Sequence, residues 1–82
     1  MIDAQDAAPA KTTRVIKRSI VIAGHRTSVS LEDAFWRTLK EIAAQNGVSL
    51  AALVATVDAQ RGDANLSSAL RVFALEQTRK AR

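Results

Sequence analysis

Apolar and polar positions alternate strictly along the stretch that begins at Arg26. Thr27, Val29 and Leu31 fall on one face, and Arg26, Ser28 and Ser30 on the other. A period of two predicts a half-buried strand over 26–31. At Glu32 the period changes. Phe35, Leu39, Ile42 and Ala43 recur at helical spacing, which predicts an amphipathic helix over 32–46. Asn46-Gly47 supplies the stop. Ser49 is placed to cap a second helix over 49–61, with Leu50, Leu53, Val54 and Val57 as its stripe. Asn65 can cap a third over 65–79, striped by Leu66, Ala69, Leu70 and Phe73. Upstream, Ser19-Ile20-Val21-Ile22 is apolar and β-rich, and Ala23-Gly24-His25 is turn-like. An additional strand at 19–22, in a hairpin with 26–31, is therefore a candidate. It would help cover the outer edge of a ribbon.

Eighty-two residues, 48% of them hydrophobic, allow one domain with a modest core. A lone strand over 26–31 would leave its backbone N–H and C=O groups without a ladder partner. The same strand of a second copy is the simplest partner, so the pattern points to a homodimer. Cysteine is absent, which excludes a disulfide framework, a thiol nucleophile and a thiolate metal site. His25 is the single histidine, has no neighbouring acid pair, and reads as a turn residue rather than a metal ligand. Neither a Gly-rich phosphate loop nor a Ser/His/Asp set is present, so no enzyme activity and no cofactor are expected. No run of about 18 apolar residues occurs, so no membrane partner is expected. The N-terminus lacks the pattern of a signal peptide, and a cytoplasmic, nucleoid-associated location is expected.

Charge is segregated. Met1 to Ala10 holds Asp3 and Asp6 and the single proline, has no period, and reads as a disordered tail. From Lys11 to Arg26 there are five bases (Lys11, Arg14, Lys17, Arg18 and Arg26) and no acid. The two-helix core from Thr27 to Asp63 carries five acids against three bases, and the C-terminus is basic again through Arg71, Arg79, Lys80 and Arg82. Residues 1–18 are expected to form an acidic, then basic, arm ahead of a domain spanning 19–82. Positive charge thus sits at and before the predicted strand, where a DNA backbone could approach.

The ordered set Thr27-Ser28-Val29-Ser30-Leu31-Glu32-Asp33, then Leu39, Ile42 and Ala43, then Gly47-Val48-Ser49 resembles the ribbon-helix-helix family of DNA-binding proteins, the MetJ/Arc type. The resemblance covers about half of the chain. It implies a mainly α fold with a short β-ribbon, built as an intertwined dimer and here extended by an additional C-terminal helix. Val29, Leu31, Phe35, Leu39, Ile42, Leu53, Val54 and Val57 would form the dimer core.

The outward side chains of any half-exposed strand are polar, so Arg26, Ser28 and Ser30 could be a solvated face alone. Arginine can also bond guanine O6 and N7, and serine several base edges. In the family the matching positions read bases, and the resemblance implies that role for these three. Ser30 has a rival role as cap of the first helix through its spacing to Asp33. The free N–H groups of a helix start suit phosphate. The family uses the matching turn for that purpose, which here is Gly47, Val48 and Ser49. Lys17 and Arg18 would add phosphate contacts from the arm. Glu32 and Asp33 favour the positive end of the first helix, and Trp36 reads as core or interface.

A sequence-specific, dimeric transcriptional regulator that inserts an antiparallel ribbon into the major groove is the leading expectation. Its partners would be double-stranded DNA and further copies of itself. An extra strand at 19–22 would have to lie clear of the groove, which admits two strands. The alternative is a dimeric interaction module, an antitoxin or adaptor, acting on a protein partner through the third helix and basic tail. An exposed apolar stripe on that helix would favour it. Nonspecific binding of nucleic acid by the basic ends is the third reading.

Overall fold

The computed structural model describes residues 13–80. Two strands, β1 (Val15–Ile22) and β2 (His25–Glu32), form an antiparallel hairpin. Three helices follow: α1 (Asp33–Gln45), α2 (Leu50–Gln60) and α3 (Leu66–Lys80). The predicted elements are therefore present in the predicted order, with boundaries shifted by one or two residues except at β1.

β1 is twice as long as the pattern indicated, because it begins at Val15 rather than Ser19. The alternation runs back through Ile16, Arg18, Ile20 and Ile22, which all turn towards the helices, while Val15, Lys17, Ser19 and Val21 are exposed. Lys17 and Arg18 hid this period. Val15 to Arg18 consequently belong to the sheet and not to an N-terminal arm, while the tail expected over 1–10 lies outside the described residues. The ladder runs from Val15 opposite Glu32 to Ile22 opposite His25, and the Asp33 N–H donates to the Arg14 carbonyl (3.2 Å) just beyond it. The pairing that argued for a second chain is thus met within one chain: β1 is the ladder partner of β2.

The turn is Ala23-Gly24, with φ of 52° and 79°. Positive φ at both central residues defines a type I′ turn, whose twist suits a two-residue hairpin. Glycine takes this conformation freely and alanine at a cost.

The helices cover the inner face of the sheet, α2 against β1 and α1 and α3 against β2. Val29 and Leu31 from the sheet, Trp36, Leu39, Ile42 and Ala43 from α1, Leu53, Val54 and Val57 from α2, and Leu66, Leu70 and Ala74 from α3 share one core with Ile22. Each fully buried leucine (Leu31, Leu39 and Leu70) contributes roughly 2–3 kcal/mol. All the residues expected in a dimer core lie in this single-chain core, with Phe35 at its margin and Trp36 deeper than the stripe implied.

α1 ends in a Schellman arrangement. Gly47 takes φ of 68°, its N–H donates to the Ala44 carbonyl (3.1 Å), and the Val48 N–H donates to that of Ala43 (3.0 Å). Ser49 caps α2, its Oγ accepting from the Ala52 N–H at 3.0 Å. Asn65 caps α3 in the same way, accepting from the Ser68 N–H at 3.2 Å. Ser30 is not the cap of α1: Glu32 occupies that position, without a side-chain cap bond.

Candidate nucleic-acid interface

The hairpin register decides which side chains share a face. Lys17 stands opposite Ser30, Ser19 opposite Ser28, and Val21 opposite Arg26. Directly opposed residues in an antiparallel pair project to the same side. Lys17, Ser19, Val21, Arg26 and Ser28 are exposed and Ser30 is half-buried, on the side away from the helices. Arg26, Ser28 and Ser30 are therefore brought together as expected. Half of the face, however, comes from β1. Ser19 and Val21 were missed because the sequence was read for one outward row. Both follow once the alternation of β2 is carried through the turn and back along β1.

The two rows differ in electrostatics. Arg18, Arg37, Arg61 and Arg71 each pair with an acid. Lys17 and Arg26 have no ion-pair partner among the described residues, and both stand on the outer face. They lie at opposite ends of it, separated along the strands by about 13 Å, four residues of rise, with the serines between.

Arg18 is placed differently from its neighbour. It projects inward, and its guanidinium donates to Asp33 Oδ1 (2.9 Å) and lies over the Trp36 ring, 4.7 Å from the centroid. The other Asp33 oxygen takes Arg37 at 3.0 Å. Arg18 thus ties β1 to the start of α1 and is not on the face with Lys17.

The turn expected to hold phosphate is likewise divided. The N–H groups of Gly47 and Val48 are spent on α1 carbonyls. Donors for an anion at the start of α2 would come from Ser49, Leu50 and Ala51, the first residues of that helix.

One further contact was not legible in the sequence. The outward edge of β2 meets α3 at Ser30. The Ser30 N–H donates to Ser67 Oγ at 3.0 Å, and Arg71 donates to the Ser30 carbonyl at 3.3 Å and to Glu32 at 2.8 Å. The Arg71 hydrogen bond, followed by the Glu32 backbone N–H, holds the Glu32 carboxyl below its ordinary 4.5.

A sheet hairpin feeding three helices, with Lys17 and Arg26 on the face turned away from them, defines a small helical domain with a two-stranded sheet at its start. The family model of the ribbon-helix-helix domain matches residues 15–78, and the chain belongs to that family, whose members are generally DNA-binding proteins acting as dimers. The chain is similar to a solved structure of an uncharacterized protein from Bordetella pertussis Tohama I. The two are 36% identical, with a TM-score of 0.75, over 98% of this chain and 72% of that one. No curated protein matches.

Proposed function

We propose that this protein is a double-stranded DNA-binding transcriptional regulator without enzymatic activity. It works as a homodimer in the cytoplasm, inserting an antiparallel ribbon into the major groove. The observation that carries this reading is the outer face of the sheet, which α3 meets only at Ser30 and Glu32 and which bears Lys17 and Arg26 without acid partners among the described residues. Arg26, Ser28 and Ser30 read base edges and the start of α2 receives a phosphate, as the family membership supports. Selection of genomic fragments by the purified protein at about 150 mM salt, followed by sequencing, tests it. A short repeated or palindromic motif is expected. Arg26→Ala is expected to lose roughly 1–3 kcal/mol on that motif. Recovery of fragments without a motif would sink the reading.

A second reading has a specific observation behind it. Val72 and Leu75 of α3 are exposed, at 55% and 53%. Val72 also borders an open groove of about 360 Å³ between α2 and α3, lined by Val57, Ala69 and Phe73 among others. Such a face suits a protein partner, as an antitoxin or adaptor would require. It is compatible with DNA reading by the sheet, because the two surfaces use different elements.

A further inference from the structure

We infer that α3 is a latch on dimer assembly: Ser67 and Arg71 hold the Ser30 backbone in place of a second copy's β2, and release it when the two-copy ribbon closes. The inference rests on the homodimeric ribbon of the reading above and names what controls its closure.

β2 has two edges. In a two-residue hairpin the residues flanking the turn bond each other, and bonded pairs alternate along the ladder from there. Ile22 with His25, Ile20 with Thr27, Arg18 with Val29 and Ile16 with Leu31 therefore bond across the hairpin. The N–H and C=O groups of Arg26, Ser28 and Ser30 point the other way, along the edge that a second copy's β2 would meet. Those of Arg26 and Ser28 have no partner among the described residues. Those of Ser30 are both taken, and α3 imitates a strand in taking them. The Ser30 N–H donates to Ser67 Oγ at 3.0 Å, where a neighbouring strand would offer a carbonyl. The Ser30 carbonyl accepts from Arg71 at 3.3 Å, where a neighbouring strand would offer an N–H.

Twofold symmetry gives this contact its effect. A ribbon that brings both copies of Arg26, Ser28 and Ser30 together is centred on Ser28, which sets Arg26 of either copy opposite Ser30 of the other. With α3 docked, Ser28 can bond its own copy while both ends of the ribbon stay open. Closing the ends takes Ser30 from α3 in each chain. The exchange is nearly bond for bond, because Arg71 keeps Glu32 at 2.8 Å and the half-buried Ser67 hydroxyl, in the first turn of α3, can turn to water. The latch therefore lowers the population of assembly-competent chains without preventing assembly.

Two measurements on the full chain test the inference, and neither needs DNA. The first is the dimer dissociation constant of wild type and Ser67→Ala by sedimentation. Asn65 still caps α3 in the variant, so the helix keeps its start. Loss of one latch bond from each chain should tighten the dimer about 5- to 150-fold. A merely structural role for Ser67 predicts a less stable chain and no tighter dimer. The second is hydrogen exchange at the Ser30 amide. In the monomer, Ser67→Ala should lose protection there. In the dimer, at saturating protein concentration, wild type and variant should be equally protected, by the partner strand. An unchanged or weaker dimer would overturn the latch. A Ser30 amide that exchanges freely in the variant dimer would do the same, as would chains of both kinds that stay monomeric at every concentration. A tighter variant dimer from a protein that selects no DNA motif would keep the latch and remove the DNA reading.

Discussion

Arg18 is a side chain whose role the sequence concealed, whereas Ala23 reads as turn material and only its positive φ did not show. Arg18 sits between Lys17 and Ser19 in a basic run, and its charge reads as surface. Its inward position exists because Asp33 and Trp36 receive it, and neither is adjacent in sequence. We predict that Arg18→Ala lowers stability by about 1–2 kcal/mol, the sum of a cation–π contact and a partly screened ion pair. Thermal or denaturant unfolding reads this. The salt dependence of DNA binding should not change, whereas loss of a phosphate contact would reduce its slope by about one. Ala23 is a non-glycine residue at positive φ among the described residues. Asparagine tolerates that conformation, and Asn-Gly is the favoured type I′ pair. Ala23→Asn should therefore raise stability by about 1 kcal/mol in a melting experiment. A loss would mean that the turn is not of this type.

The elements themselves were largely legible, because β2 and α1 carry clean periods, Gly47 stops α1 and Ser49 caps α2. β1 was half hidden, since Arg18 interrupts its apolar row. The docking of α3 on the edge of β2 could not be read at all. Ser67 and Arg71 are ordinary helix residues until the fold brings them to Ser30 and Glu32, 37 to 41 residues away. That junction has a pH dependence. The Glu32 carboxyl titrates lower in the folded chain than in the unfolded one, so the native state favours the charged form. The pair contributes fully above the ordinary carboxyl range, and the contribution is lost as pH falls through the folded value, below 4.5. Melting temperature should therefore decline on acidification. Hydrogen exchange at the Ser30 amide should accelerate in the same window. Glu32→Gln should be less stable at pH 7 and show a shallower acid decline. An unchanged acid limb in that variant would show that Arg71 does not depend on Glu32.

Considered together, sheet, helices and charge give a molecule with two unlike sides, one buried against the helices and one open. The candidate site was legible from β2 alone only in part, because a strand's outward row becomes a surface only when its ladder partner is known. The register supplies Ser19 and Val21 and removes Arg18. Two dimers on adjacent half-sites, the arrangement expected of the family, can enter the same side of a duplex only if those half-sites are in helical phase, about 10–10.5 base pairs apart or a multiple of that. The gain comes from the second contact becoming intramolecular. Starting from the natural spacing of the selected motif, insertion of five base pairs between half-sites should cut affinity towards that of one half-site. Insertion of ten should restore most of it. Gel-shift titration of the three fragments reads both effects. Indifference to phase would mean that the two dimers bind independently, with no contact between them in recognition.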